Sequence, residues 1–329
     1  MKLNGKKIVL ICPKFYGYEE KIISELQKQG ATVYMIYENI EWVKVSYRIV
    51  YVYFPRFKER MIVSYYKKNL EKLLEDMDLF FVIRGSSLTP SIMEWVKKKK
   101  RKACRFIMYQ WDGVKNNKSI LNIVSYFDRV STFDVEDAKN YGWVYRPLFY
   151  IPEFTCSSVK KDIDFLFICA LHSNRVKILN ELKKTTADKG YSLKKVMVLN
   201  KVLYYKYKYI DKKSEVINAN NGDLTFKPLS IENSYKLYAR SKIVVDYTNK
   251  NQTGFTMRTL EAFGNHCKLM TNNRNIIDAD FYDERNILIY DEDNLLIPDD
   301  FVLSKYHSTS DDLYNRYTLK SWINDLIGD

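Results

Sequence analysis

A chain of 329 residues, 46% apolar and with a mean hydropathy of −0.36, is long enough for two domain-sized cores and reads as soluble. No apolar run approaches the roughly 18 residues that a membrane-spanning helix needs. The formal charge is +13, from 53 Lys and Arg against 40 Asp and Glu; no nucleic-acid-binding motif accompanies it, so nucleic acid is not an expected partner.

The basic excess is uneven. Residues 1–150 carry 27 Lys and Arg against 16 Asp and Glu (+11), and residues 151–329 carry 26 against 24 (+2). The densest run is KKKKRK at 97–102. Such a half is either a solvated basic face or a surface drawn to anionic lipid or phosphate. The five cysteines are widely spaced and odd in number. They read as buried reduced thiols of a cytoplasmic protein. With three histidines and no CxxC or HExxH pattern, a protein-built metal site is not expected.

In chain order, MKLNGKKIVLIC is a first strand rather than a signal peptide. Glu19–Gln29 is a helix ended by Gly30, and Ala31–Tyr37 is a second strand. The helical period recurs over Ile62–Asp76, and Leu79–Ile83 is a buried strand. Thr89 caps the next helix, with Pro90 in its first position. Cys104–Tyr109 and Val130–Phe133 are strands; Asp134–Tyr141 is a helix closed by Gly142. Residues 147–163 show no period and are the expected linker between a first domain (1–150) and a second (151–329). Phe165–Ala170 is the next strand, Ser173 starts a helix, and Lys195–Leu199 is a strand. Residues 200–222 alternate without settling between strand and helix. A short strand ends at Pro228, and Ser230 caps a helix. Lys242–Asp246 is a strand, a polar loop follows to Gly254, and a helix runs from about Thr256 to Gly264, whose glycine suits a left-handed stop. Lys268–Thr271 and Ile287–Tyr290 are strands, and one last helix is predicted over about 310–327. Strands alternating with helices predict parallel sheets covered on both faces.

The segment QTGFTMRTLEAFG (252–264) followed by KLMTNN resembles the donor-binding segment of bacterial GT-B glycosyltransferases that build capsular polysaccharide and lipopolysaccharide. The likeness extends to YQWDGVKNN (109–117), YFDRVSTFDVEDAKNYG (126–142) and DFLFICALHSNR (164–175). It implies an α/β fold of two Rossmann-like parallel-sheet domains facing each other across a cleft. The first domain would take the acceptor and the second the nucleotide-sugar donor, with the last helix free to pack back toward the first. It also implies transfer of a sugar from a nucleotide-diphosphate donor to a lipid-linked, lipopolysaccharide or capsule glycan acceptor. No metal or cofactor is implied, because cationic side chains can neutralise the leaving diphosphate. The location implied is the cytoplasm, at the inner membrane face.

Sugar transfer needs a neutralised diphosphate, a held ribose and base, and a proton acceptor for the attacking hydroxyl. The resemblance places Glu261 on the ribose diol. A second glutamate found eight residues earlier in many retaining relatives is Thr253 here. Gln252, Thr253, Gly254, Phe255 and Thr256 enter the helix, where backbone N–H groups can bind phosphate or sugar oxygens. Arg258 either grips the diphosphate or pairs with Glu261 or Asp246. His172, Ser173, Arg175 and Lys227 are further donor-side candidates. On the acceptor side stand Tyr16, Gly17, Arg84 and Ser86. Asp112, beside Gly113, is either a general base or an Asx turn. Two other readings remain open: a nucleotide-sugar epimerase on the same fold, and a non-catalytic sugar-nucleotide or glycan-binding module.

Overall fold

The computed structural model describes residues 3–38, 55–156, 159–170, 175–210, 224–249 and 251–328. The chain divides into two compact units, Met1–Pro147 with Ile323–Asp329, and Leu148–Trp322.

Unit 1 is a six-stranded parallel sheet in the order β2-β1-β3-β4-β5-β6. Its strands are β1 (Lys7–Cys12), β2 (Thr32–Tyr37), β3 (Leu79–Ile83), β4 (Arg105–Gln110), β5 (Arg129–Thr132) and β6 (Val144–Tyr145). Every residue of β3 is buried, as expected for a central strand with helices on both faces. The helices are α1 (Tyr18–Lys28), α2 (Pro55–Leu70), α3 (Pro90–Lys99) and α4 (Val135–Tyr141). Thr89 caps α3 by accepting from the Ile92 N–H, and Gly142 closes α4 in the left-handed conformation. The apolar period predicted a helix to Asp76, yet α2 stops at Leu70. Leu74 and Met77 stay in the core through successive turns, so the period there reports burial and not helical hydrogen bonding. The carbonyls of Ile327 and Gly328 accept from Arg105 and Arg129, which open β4 and β5 (3.1 and 2.7 Å). That contact ties the late segment 323–329 to this sheet.

Unit 2 is a second six-stranded parallel sheet, ordered β12-β11-β10-β7-β8-β9. Its strands are β7 (Ile163–Ala170), β8 (Leu193–Val198), β9 (Leu224–Thr225), β10 (Ser241–Asp246), β11 (Lys268–Thr271) and β12 (Ile287–Ile289). Its helices are α5 (Arg175–Asp188), α6 (Lys201–Tyr205), α7 (Ile231–Arg240), α8 (Met257–Gly264), α9 (Asp299–Leu303) and α10 (Asp311–Arg316); α11 (Leu319–Ile327) begins in unit 2, and its residues from Ile323 belong to unit 1. The ambiguous stretch after Asn200 is α6 followed by a π-helical turn, Lys206–Ile210; residues 211–223 lie outside the described part.

Three expectations change. The start of the supposed linker is core: Leu148, Phe149, Tyr150 and Ile151 are all buried in unit 2. The single last helix is two, because Tyr150 pairs with Thr318 as an isolated parallel bridge and pulls the chain out of helical geometry between α10 and α11. Gly264 does not make the left-handed turn. It is the last helical residue, and a Cβ there would lie 2.3 Å from the Tyr150 ring, so its role is close approach; the left-handed residue is His266 (φ 53°).

Candidate functional site

In open parallel sheets, ligands lodge beyond the carboxyl ends of the strands where the strand order reverses. In unit 2 that point lies between β7 and β10, and two arginines converge there. Arg175, the first residue of α5, is buried and donates to the Ala170 carbonyl at the end of β7 (2.9 Å) and to the Tyr247 carbonyl just past β10 (3.4 Å). Arg258, in the first turn of α8, donates from Nε to Asp246 Oδ1 (2.7 Å) and from its two terminal nitrogens to the carbonyls of Ile168 (3.1 Å) and Tyr247 (3.3 Å). Both guanidinium groups therefore meet on the Tyr247 carbonyl. Asp246 is fully buried, and its Oδ2 accepts from the hydroxyls of Thr248 and Thr259 (both 3.3 Å).

Burial opposes the charge on Arg258, but Asp246 beside it more than compensates and raises its pKa. Arg175 goes the other way. Burial first, then the like charge of Arg258, bring it down to about 10, with Asp246 among the groups opposing. Asp246 balances one of the two guanidinium charges, so the group keeps a net positive charge at the β7/β10 crevice. Arg258 has its nitrogens committed to Asp246 and to carbonyls. It sets the charge of the crevice, and of the two acidic partners the sequence offered it pairs with Asp246. Sequence reasoning named Asp246 only as a partner for Arg258 and not as a site residue. Its signal was a carboxylate ending an otherwise apolar strand, twelve residues before the arginine.

The loop into α8 is pinned rather than loose. Asn273 donates to the carbonyls of Thr253 and Gly254 (3.1 and 3.2 Å), and Asn272 and Thr248 bond each other reciprocally. Phe255 is buried against Phe281, and Thr256 caps the helix by accepting from the Thr259 N–H. Gln252 and Thr253 are partly exposed beside this pinned turn. The remaining N–H groups of the first turn form the positive end of the α8 dipole. Glu261, one turn deeper, is buried among the tyrosines of α7: burial and then the Glu261 carboxylate hold the Tyr235 and Tyr238 phenols protonated. Lys227 is exposed just past β9 at the sheet edge, two strands from the β7 end, and the structure does not bring it to the arginines. His172 and Ser173 lie outside the described residues.

Unit 1 has its own reversal point, between β1 and β3. Tyr16 (φ 56°) and Gly17 (φ 94°) follow β1, and Arg84 (φ 73°) and Ser86 follow β3. Left-handed backbone at Tyr16 and Arg84 is costly for residues with a Cβ, and such strain concentrates at functional positions. Asp112 forms an ion pair with Arg84 (Nε–Oδ2 2.9 Å), and Gln110 donates to the Arg84 carbonyl (2.8 Å). Asp112 is therefore tied to the strained arginine, in a role that neither the base nor the Asx-turn reading named. Ser86 donates to Glu38, a buried carboxylate that directly follows β2 and was not among the expected site residues. Its signal in the sequence was an acidic residue immediately after the apolar run TVYMIY. Among the described residues no group of three metal-ligating side chains converges, and no helix is long and apolar enough to cross a membrane.

The chain matches no family model and no curated protein sequence. Among solved structures it is similar to a glycosyltransferase from Rickettsia africae ESF-5, with 12% identity and a TM-score of 0.54 over 98% of this chain and 97% of that one. It is similar to MurG of Acinetobacter baumannii, with 10% identity and a TM-score of 0.50 over 98% of each chain. It is also similar to UDP-N-acetylglucosamine 2-epimerase from Rickettsia bellii, with 12% identity and a TM-score of 0.50 over 96% of this chain and 94% of that one. These likenesses span both units, and the fold they show is α/β of the GT-B kind.

Proposed function

We propose that the protein is a glycosyltransferase that takes a nucleotide-diphosphate sugar in the β7/β10 crevice of unit 2 and moves its sugar to a glycan or lipid-linked acceptor. The observation that carries this reading is the meeting of Arg175 and Arg258 on the Tyr247 carbonyl, beside the N-terminus of α8. A diphosphate is doubly charged, and its negative charge grows as the sugar departs. Two guanidinium groups and a helix dipole, fixed in advance in a partly dry site, stabilise that growing charge without a metal. Gly254 and the pinned 253–256 turn let backbone N–H groups approach the phosphate oxygens, with Arg175 as the adjustable cation and Arg258 as the fixed one. Glu261 is the carboxylate for the ribose hydroxyls, set by the tyrosines of α7. Lipopolysaccharide or capsule assembly, a lipid-linked acceptor and an inner-membrane location belong to the same proposal and rest on the sequence resemblance.

A second reading is favoured by one finding, the likeness to an enzyme named as a UDP-N-acetylglucosamine 2-epimerase. Both readings need the same nucleotide grip, so binding is tested first. Calorimetric titration with ADP, CDP, GDP and UDP is expected to find one that binds. Arg175→Leu should weaken it about tenfold or more, the scale of a lost charge-assisted contact, while Arg175→Lys keeps most of the affinity. If none of the four binds, or Arg175→Leu binds as tightly as the parent, the crevice is not a diphosphate site. Incubating the cognate nucleotide sugar without acceptor then separates the readings: epimerised product seen by NMR supports the second, and turnover only with an added glycan acceptor supports the first.

A further inference from the structure

Unit 2 holds a cavity of about 190 Å³ at the β11/β12 side of its sheet, enclosed by α8, by the segment between β11 and β12, and by residues 306–313. Leu269 and Ile287, register partners near the starts of β11 and β12, belong to its buried floor, so it sits toward the amino ends of the strands and not beyond their carboxyl ends. Phe263 and Phe281, both buried, pack on each other at 4.9 Å between centroids and give it an aromatic wall. Arg285 and His307 are exposed and stand at its rim. The walls are set in advance: Asn286 donates from Nδ2 to the His307 carbonyl (2.7 Å) and accepts the His307 N–H on Oδ1 (2.9 Å), and the Tyr306 and Tyr314 hydroxyls lie 2.9 Å apart. Thr259 is the lining residue shared with the arginine cluster, and its hydroxyl is taken by Asp246.

We propose that this cavity binds a small neutral aromatic molecule carrying one hydroxyl or N–H donor, the size of a phenol or an indole, with its ring on the buried floor and its donor toward His307. Size and polarity select that class. Apolar cavities of about 150 Å³ take a benzene-sized ring, so this one admits a single ring or two fused rings. Its buried part is aromatic and aliphatic, which favours a ring over a sugar or an ion. The charges at the rim are matched within it: Arg285 donates to both oxygens of Asp283 (2.8 and 2.7 Å), and Arg316 and Tyr317 engage Asp280. A charged ligand would therefore lose hydration without gaining an opposite charge. His307 supplies the polar selection. Its Nδ1 lies 3.0 Å from Asp283 Oδ2. Hydrogen bonding from Arg285 brings the Asp283 carboxyl down to about 2, so that carboxylate only accepts. Nδ1 then carries the proton, and Nε2 of the neutral ring is the atom that accepts from a ligand. The site is independent of the β7/β10 crevice and holds whether or not that crevice takes a nucleotide sugar.

NMR titration of the full chain tests it with p-cresol and indole, and with 4-methylanisole and 1-methylindole, in which the donor is blocked. At least one of the first two is expected to bind with a dissociation constant of about 1 mM or tighter, and its blocked counterpart about fivefold more weakly, the scale of one hydrogen bond. Binding should move the His307 Cε1–H resonance, identified among the three histidines by its loss in His307→Ala. Leu313→Trp, which places a larger side chain into the cavity from α10, should abolish binding, and Arg175→Leu should leave it unchanged. The proposal is overturned if neither p-cresol nor indole binds at up to about 5 mM. It is equally overturned if the blocked molecules or 4-methylcyclohexanol bind as tightly, if the His307 resonance stays still, or if Arg175→Leu abolishes binding. Should Leu313→Trp fail to fold, His307→Ala, at an exposed position, decides: it must weaken the donor-bearing ligand and spare the blocked one.

Discussion

At the scale of single residues, Glu38 and Arg175 share a thermodynamic signature, since burial disfavours the charged form of each. For Glu38 the folded-state pKa lies above the unfolded one, mainly through burial. The folded protein then holds its proton more tightly. The stability that Glu38 contributes is fully present below the unfolded carboxylate pKa and is lost as pH rises through the folded value. Glu38→Gln should remove that slope. Its melting temperature should match or exceed the parent's at pH 7, and the difference should shrink toward pH 4, as read by thermal melts across that range. A variant that melts lower than the parent at pH 7 and by the same margin at pH 4 would show that the carboxylate is not a burdened group. Arg258 and Asp246 show what the letters alone left open. The sequence offered two acidic partners for Arg258, and spacing along one helix favoured Glu261 as strongly as the strand end favoured Asp246. Only the parallel packing of β7 against β10 brings the guanidinium over the strand end and decides between them.

At the scale of elements, most of the fold was legible because parallel α/β units write themselves in alternating periods. The capped starts at Thr89 and Ser230 and the glycine stop at Gly142 were readable for the same reason: local hydrogen bonds determine them. What failed depended on partners distant in sequence. The break between α10 and α11 follows from Tyr150, and so does the role of Gly264; nothing within a few residues of either announces that tyrosine. Gly264→Ala places a methyl 2.3 Å from the Tyr150 ring. It should destabilise the protein by about 1–3 kcal/mol as measured by denaturant unfolding, since helix propensity favours alanine and only overpacking opposes it. Adding Tyr150→Leu should recover part of that loss. A stabilised Gly264→Ala would mean that the ring yields freely. Of the candidate site, the loops after β7 and β10 were named from the sequence, whereas Glu38 was passed over because a lone acidic residue after an apolar strand carries no motif.

For the molecule as a whole, the charge asymmetry between residues 1–150 and 151–329 is the property with the longest reach. The KKKKRK run is less available than its letters suggest. Lys97 lies over the Phe106 ring and near Asp128, Lys99 pairs with Glu71, Lys100 bonds three carbonyls and Arg101 pairs with Asp78. What remains is the diffuse field of the +11 half, which is screened within about 8 Å at physiological ionic strength. Sedimentation with phosphatidylserine-containing vesicles should therefore retain the protein at about 0.02 M salt and release it at about 0.5 M. Neutral phosphatidylcholine vesicles should not hold it at either. Equal retention on both vesicle types would point to apolar insertion and away from charge.

The attachment of segment 323–329 to the first sheet carries a consequence for biosynthesis. A ribosome delivers β1 through β6 early, yet the piece that caps β4 and β5 leaves the exit tunnel only after every strand of the second sheet. The earlier sheet must wait, with the ends of two central strands uncovered, while the later one is made. Its last cooperative step thus waits for segment 323–329, and a chain stalled after β12 but before Ile323 has every strand of both sheets while the first sheet is unfinished.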